Sequence, residues 1–153
     1  MAQFHPPLVV SALFGTMGFS MGVYSLLSPF NMAIGFGVSI PPSLSSGLSV
    51  TNNTSSKNSS TAVSATQGEL QNCTLAFARA KGARDISSGL AYYGLVWLGN
   101  QEALGVLMIA NVMTAVVDGA IVYRQGDKNT AWGHWGAAAI IAATGAWMLW
   151  TAR

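Results

Sequence analysis

Charge is scarce in this chain: of 153 residues, only 8% are Asp, Glu, Lys or Arg. The acidic residues are Glu69, Asp85, Glu102, Asp118 and Asp127; the basic ones are Lys57, Arg79, Lys81, Arg84, Arg124, Lys128 and Arg153. They form no basic cluster and leave a net charge of +2, which gives no nucleic-acid-binding footprint. Cysteine is scarcer still. Cys73 stands alone, so an intrachain disulfide is excluded, and no Cys/His set has zinc spacing. No metal or cofactor is expected. The N-terminal stretch has no Lys or Arg ahead of its apolar run and no clear small-residue cleavage signal, so it reads as a retained first span.

What is present is apolar. Hydrophobic residues make up 51% of the chain and the mean hydropathy is +0.42, which argues against an ordinary soluble globule. The expected class is all-α: a single integral membrane domain over 1–153, built as a four-transmembrane-helix bundle with a long polar loop between helices 1 and 2. The spans are expected at about 8–27, 78–98, 102–123 and 130–150, each close to the ~20 residues a helix needs to cross ~30 Å of hydrocarbon. After the first span, Ser28-Pro29 breaks the helix, and Met32 to Ile40 is too short to cross, which suits a re-entrant or interfacial piece. Residues 43–71 turn to Ser, Thr, Asn and Gly and read as the flexible loop. Asn52, Asn53, Asn58 and Asn72 are candidate glycosylation acceptors by their sequons.

Trp132 and Trp135 near one end of the last span, with Trp147 and Trp150 near the other, fit aromatic belts at two interfaces. Gly15, Gly18 and Gly22 on the first span, and Gly133, Gly136, Ala137 and Ala143 on the last, mark expected close helix contacts. Sidedness is in conflict. Sequons place the loop in a lumen, whereas Arg79, Lys81, Arg84, Arg124 and Lys128 on the same side favour the cytosol. An intracellular membrane such as the endoplasmic reticulum is the expected location.

Against this background Asp118 is conspicuous, because it lies inside an otherwise apolar run from Ala103 to Tyr123. A carboxylate at membrane depth costs roughly 2.5 to 3.5 kcal/mol on insertion scales, so it faces a partner, a cavity or a reaction. The turn near Asn100 puts Asp85 about 15 residues before it and Asp118 about 18 after it, a depth difference of only ~5 Å at the helical rise. The turn near Asp127 puts His134 within ~3 Å of the depth of Asp118 by the same rise. Tyr24 and Asn31 lie toward the same side. Arg84, Asp85, Asp118 and His134 are thus the candidate catalytic residues, with Tyr24, Asn31 and Trp135 as candidate substrate contacts. The plainer alternative for the charges is a neutral clamp between helices; for His134 it is an interfacial histidine, and for Arg79, Lys81, Arg124 and Lys128 it is topology and headgroup charge.

Two carboxylates around one arginine form an acid and base pair. One could draw a proton from water or a substrate hydroxyl while the other donates to a leaving oxygen, for example that of an opening epoxide. Soluble limonene-type epoxide hydrolases use an Asp-Arg-Asp set on an unrelated fold, a likeness of chemistry alone.

The motifs ARDISSGL, VVDGAIV, WGHWGAAA and GAWML, between Ala83 and Leu149, resemble those of a family of small fungal four-helix integral membrane proteins. Some members look like hydrolases or cyclases encoded with polyketide pathways. The resemblance covers the last three spans and implies roles for Arg84 and Asp85 in ARD, Asp118 in VDG and His134 in WGH. It implies a lipophilic small-molecule substrate within the lipid bilayer. The long Ser/Thr/Asn loop departs from the compact form of the pattern. Two other classes compete: a proton-coupled carrier, which would need a homo-oligomer because no internal repeat is present, and a non-catalytic membrane scaffold subunit.

Overall fold

Proline sets the first boundaries. The computed structural model describes residues 6–37 and 60–152, and among these every regular element is a helix. Pro6 opens α1 (Pro6–Leu27), where its fixed φ and missing N–H cost nothing. Pro29 at the first position of α2 (Pro29–Gly35) disfavours a helical Ser28 and so ends α1. Then come α3 (Ser60–Trp97), α4 (Gln101–Gln125) and α5 (Lys128–Thr151). Two of them, α1 and α4, are long and apolar enough to cross a membrane.

The caps are local chemistry. Gly99, at φ +64, supplies the left-handed residue of the α3–α4 turn, and the Asn100 side chain accepts from the Ala103 N–H at 3.0 Å. Glu102 in the first turn of α4 and Arg124 in its last complement the helix dipole. Asp127 caps α5, accepting from Thr130 N at 2.8 Å and Thr130 Oγ1 at 2.9 Å. Both hydrogen bonds hold the Asp127 carboxyl below its ordinary range, the backbone one most strongly.

One element departs from the sequence expectation. Helix α3 is 38 residues long and begins at Ser60, so 60–71 is helical rather than loop. Ala62, Ala65, Gln67, Glu69, Leu70 and Gln71 are good helix formers or at worst neutral ones, and no proline intervenes. The rest of the expected loop, with Asn52, Asn53 and Asn58, lies outside the described residues; Asn72 is exposed on α3.

The helices pack as two antiparallel pairs. Glycines join α1 to α3: a Cβ on Gly22 would stand 2.6 Å from the Gly82 carbonyl, and one on Gly89 would stand 2.8 Å from that of Gly15. Ser25 Oγ adds a 2.6 Å hydrogen bond to the Ala78 carbonyl. In the second pair a Cβ on Gly105 would stand 3.0 Å from the Gly145 carbonyl. A Cβ on Gly133 or Gly136, both expected at a close contact, would meet nothing within 4 Å among the described residues, because α5 presents Ala131, Ala138, Ile141, Gly145 and Met148 to the interior instead. Tyr92, Leu104, Met108, Ile141 and Met148 form the core that joins the pairs toward one end. Elsewhere α3 and α4 touch little, although a tight turn connects them. The gap left between them holds the site.

Candidate functional site

On α3, Lys81 and Asp85 are four residues apart and share a face. Their ion pair is short, with Lys81 Nζ 2.6 Å from Asp85 Oδ2. Arg84 points elsewhere by about 100° of helix, yet its long side chain curls back. Its Nε and Nη2 donate to Asp85 Oδ1 at 3.2 and 3.0 Å. From α4, Asp118 reaches across the gap to both cations: Oδ2 lies 3.4 Å from Arg84 Nη2 and 3.5 Å from Lys81 Nζ. Lys81, Asp85 and Asp118 are 12–14% exposed in their side chains, and Arg84 is 48% exposed. Two cations thus face two carboxylates in a neutral set that spans two helices.

Two chambers meet at this set. The outer, about 660 Å³, runs along the first half of α3 past Thr74 and Phe77 to Gln125 on α4. The inner, about 500 Å³, is lined from all five helices and ends near Tyr92, Asn111 and Ile141. Lys81, Arg84, Asp118, Met32 and Phe36 line both. The volumes suit a small organic molecule.

Helix α2 closes one side of the junction. Met32 and Ala33 are buried, and the Phe36 ring lies under Lys81 Nζ, 5.0 Å from its centroid. Gly37 has φ +80, and any Cβ there would overlap the Gln125 carbonyl and the Gly126 Cα on the α4–α5 turn. Only glycine allows α2 to seat against that turn. The short piece after the first span is therefore a wall of the site.

Of the expected residues, Arg84, Asp85 and Asp118 are brought together. His134 lines the inner chamber with its ring 6.1 Å from that of Phe36, but takes no part in the ion pairs. Tyr24 and Asn31 are exposed and line neither chamber, because they fall on faces of α1 and α2 turned away from the gap. Trp135 also lines neither; its ring packs against Tyr123 and Trp132, and its Nε1 donates to the Val116 carbonyl at 3.4 Å. The site residue that sequence reasoning passed over is Lys81, assigned to headgroup charge. Its signal was present: Lys81 stands one helical turn from Asp85. Among the described residues no group of three His, Cys, Asp or Glu side chains is placed to hold a metal ion.

A family model covers the four ionic residues, His134 and Tyr92. The chain belongs to DUF4267, a domain family of unknown function, whose model matches residues 15–148. No curated protein and no solved structure matches the chain. The DUF4267 match begins at Gly15, so it takes in the glycine contacts of α1 and α3, the lining of the chambers except Phe14, and most of the α4–α5 pair.

Proposed function

We propose that the chain is a membrane-embedded hydrolase or cyclase that opens an epoxide of a lipophilic, polyketide-like metabolite. The observation that carries this reading is the neutral Lys81–Arg84–Asp85–Asp118 set at the junction of two largely apolar chambers. Asp85 is held by the shorter contacts, 2.6 and 3.0 Å, whereas Asp118 has only 3.4 and 3.5 Å. Asp118 is therefore the freer base. It takes a proton from water or from a substrate hydroxyl as that oxygen bonds to an epoxide carbon. The ring C–O bond breaks, and the leaving oxygen takes the proton shared along the Lys81–Asp85 contact. The proton gained by Asp118 then returns to Lys81. Arg84, beside both carboxylates, stabilises the charge that develops on the way.

A multi-pass arrangement, in the endoplasmic reticulum or another intracellular membrane, accompanies this reading. Charges line the interior while Leu13, Leu90, Val106, Met113 and Ile140 are exposed outside, the reverse of a soluble protein. Trp97 and Trp150 are exposed at one end and Trp132 at the other. From Gln101 to Tyr123, α4 rises ~33 Å, close to the hydrocarbon thickness of ~30 Å.

Microsomes carrying Asp118→Asn or Asp85→Asn and offered a panel of lipophilic epoxides test the reading. Product formation per unit of folded protein should fall by roughly 100-fold or more, the scale of a lost general acid or base; full activity in both variants would sink it. A second reading, a non-catalytic clamp, is favoured by the even match of two cations with two carboxylates. It predicts that a paired Lys81→Met, Asp118→Leu variant keeps the protein's biological output.

A further inference from the structure

The inner chamber has a second polar layer. Tyr92 is seven residues beyond Asp85 on α3, and Asn111 is seven before Asp118 on the antiparallel α4, so both lie ~10 Å deeper by helical rise. Both line the inner chamber. Ser88 Oγ, from the turn before Tyr92, donates to Asn111 Oδ1 at 3.2 Å, and Asn111 Nδ2 donates to the Leu107 carbonyl at 3.0 Å. The Tyr92 side chain differs from these. Tyr92 is 4% exposed, yet its hydroxyl makes no well-formed hydrogen bond among the described residues; the Asn111 carboxamide beside it is a weak contact. A buried hydroxyl without a partner is costly, and a phenylalanine would fill the same space without that cost.

We propose that the Tyr92 hydroxyl and Asn111 form a subsite for a second oxygen of the ligand, a hydroxyl or carbonyl carried ~10 Å from the reacting group. The ligand class is then an elongated apolar molecule oxygenated at both ends, one end at Asp118 and the other at Tyr92. The apolar stretch between them lies against Phe14, Met21 and Ala137. The orientation rests on the epoxide reading, since that reading places the reacting end at Asp118; the subsite itself rests on Tyr92 and the chamber.

Two probes test it: 10,11-epoxyundecan-1-ol, and 1,2-epoxyundecane, which lacks the hydroxyl. Binding is measured to the whole chain in lipid nanodiscs, and turnover is followed in parallel. The alcohol should bind roughly tenfold tighter than its partner, the worth of one buried hydrogen bond. Tyr92→Phe and Asn111→Leu should each bring the alcohol's affinity down toward that of 1,2-epoxyundecane. Because the hydroxyl makes no well-formed hydrogen bond among the described residues, Tyr92→Phe should melt close to wild type, which separates loss of the subsite from loss of fold. Equal affinities in wild type, a preference that survives both substitutions, or no binding of either probe would overturn the subsite; the first is also the outcome if a water alone satisfies the hydroxyl. A Tyr92-dependent preference without turnover of either probe keeps the subsite and removes the epoxide reading. Asp118-dependent turnover without a preference does the reverse.

Discussion

The Asp118 carboxylate stands 3.5 Å from the Lys81 ammonium, and this contact crosses the gap where α3 and α4 otherwise hardly meet. With the Arg84 contact at 3.4 Å, it ties the α1–α3 pair to the α4–α5 pair at the level of the chambers. The gap stays open without being empty of interaction, because charge spans it where side-chain packing does not.

Removing one partner of this set should cost more than removing two. Asp118→Leu leaves an excess positive charge at a site only 12–14% exposed and should destabilise the protein by about 2–4 kcal/mol, a little under the range for a broken buried pair. Adding Lys81→Met should restore most of that loss. Thermal unfolding in mild detergent checks both variants; a double variant less stable than the single one would refute the charge-balance account.

The glycines divide by their surroundings. A Cβ on Gly22 would lie 2.6 Å from the Gly82 carbonyl and 2.7 Å from Ile86 N, so Gly22→Ala should separate α1 from α3 at a cost of about 1–3 kcal/mol. A Cβ on Gly136 would meet nothing within 4 Å among the described residues, so Gly136→Ala should be neutral or stabilise by up to ~1 kcal/mol through helix propensity. Comparing their melting temperatures tests the observed α1–α3 interface against the one expected on α5.

Gly37→Ala should act on the site without touching an ionic residue. Its φ of +80 and its seat on the α4–α5 turn disfavour any side chain, so the substitution should push α2 outward and carry Phe36 away from Lys81. Ligand affinity should fall more than stability. A Tyr92-dependent preference unchanged in Gly37→Ala would show that α2 does not shape the inner chamber.

Asp127 predicts an acid dependence of known sign. Its carboxyl is held below the ordinary value of 3.8 by Thr130, so its stabilising effect is complete above that value and fades as pH falls through the lower folded value. Asp127→Ala should therefore melt below wild type at neutral pH, with the difference narrowing as the solution is acidified through that window. A constant difference would assign the loss to something other than the cap.

Much of the site was legible before the fold. Asp118 stood out because a carboxylate in an apolar run is costly, and hairpin arithmetic put it at the depth of Asp85 because rise per residue is nearly constant along a helix. Depth alone does not give azimuth. That is why Tyr24, Asn31 and Trp135, at suitable depths, prove to face away from the chambers, and why His134 lines a chamber without pairing. Composition alone reads Lys81 as a headgroup charge, although its i,i+4 relation to Asp85 is plain in the sequence.

By itself the sequence determined the helical class, the turns near Asn100 and Asp127, the break at Pro29 and the unusual position of Asp118, since each depends on local backbone chemistry or on the expense of an isolated charge. Only the tertiary structure decided that α1 pairs with α3 and α4 with α5, that α2 folds against the α4–α5 turn, and that the Tyr92 hydroxyl is buried without a well-formed hydrogen bond among the described residues. These depend on which helix faces meet across long chain separations, and small residues such as Gly22 and Gly82 permit a close approach without specifying its partner.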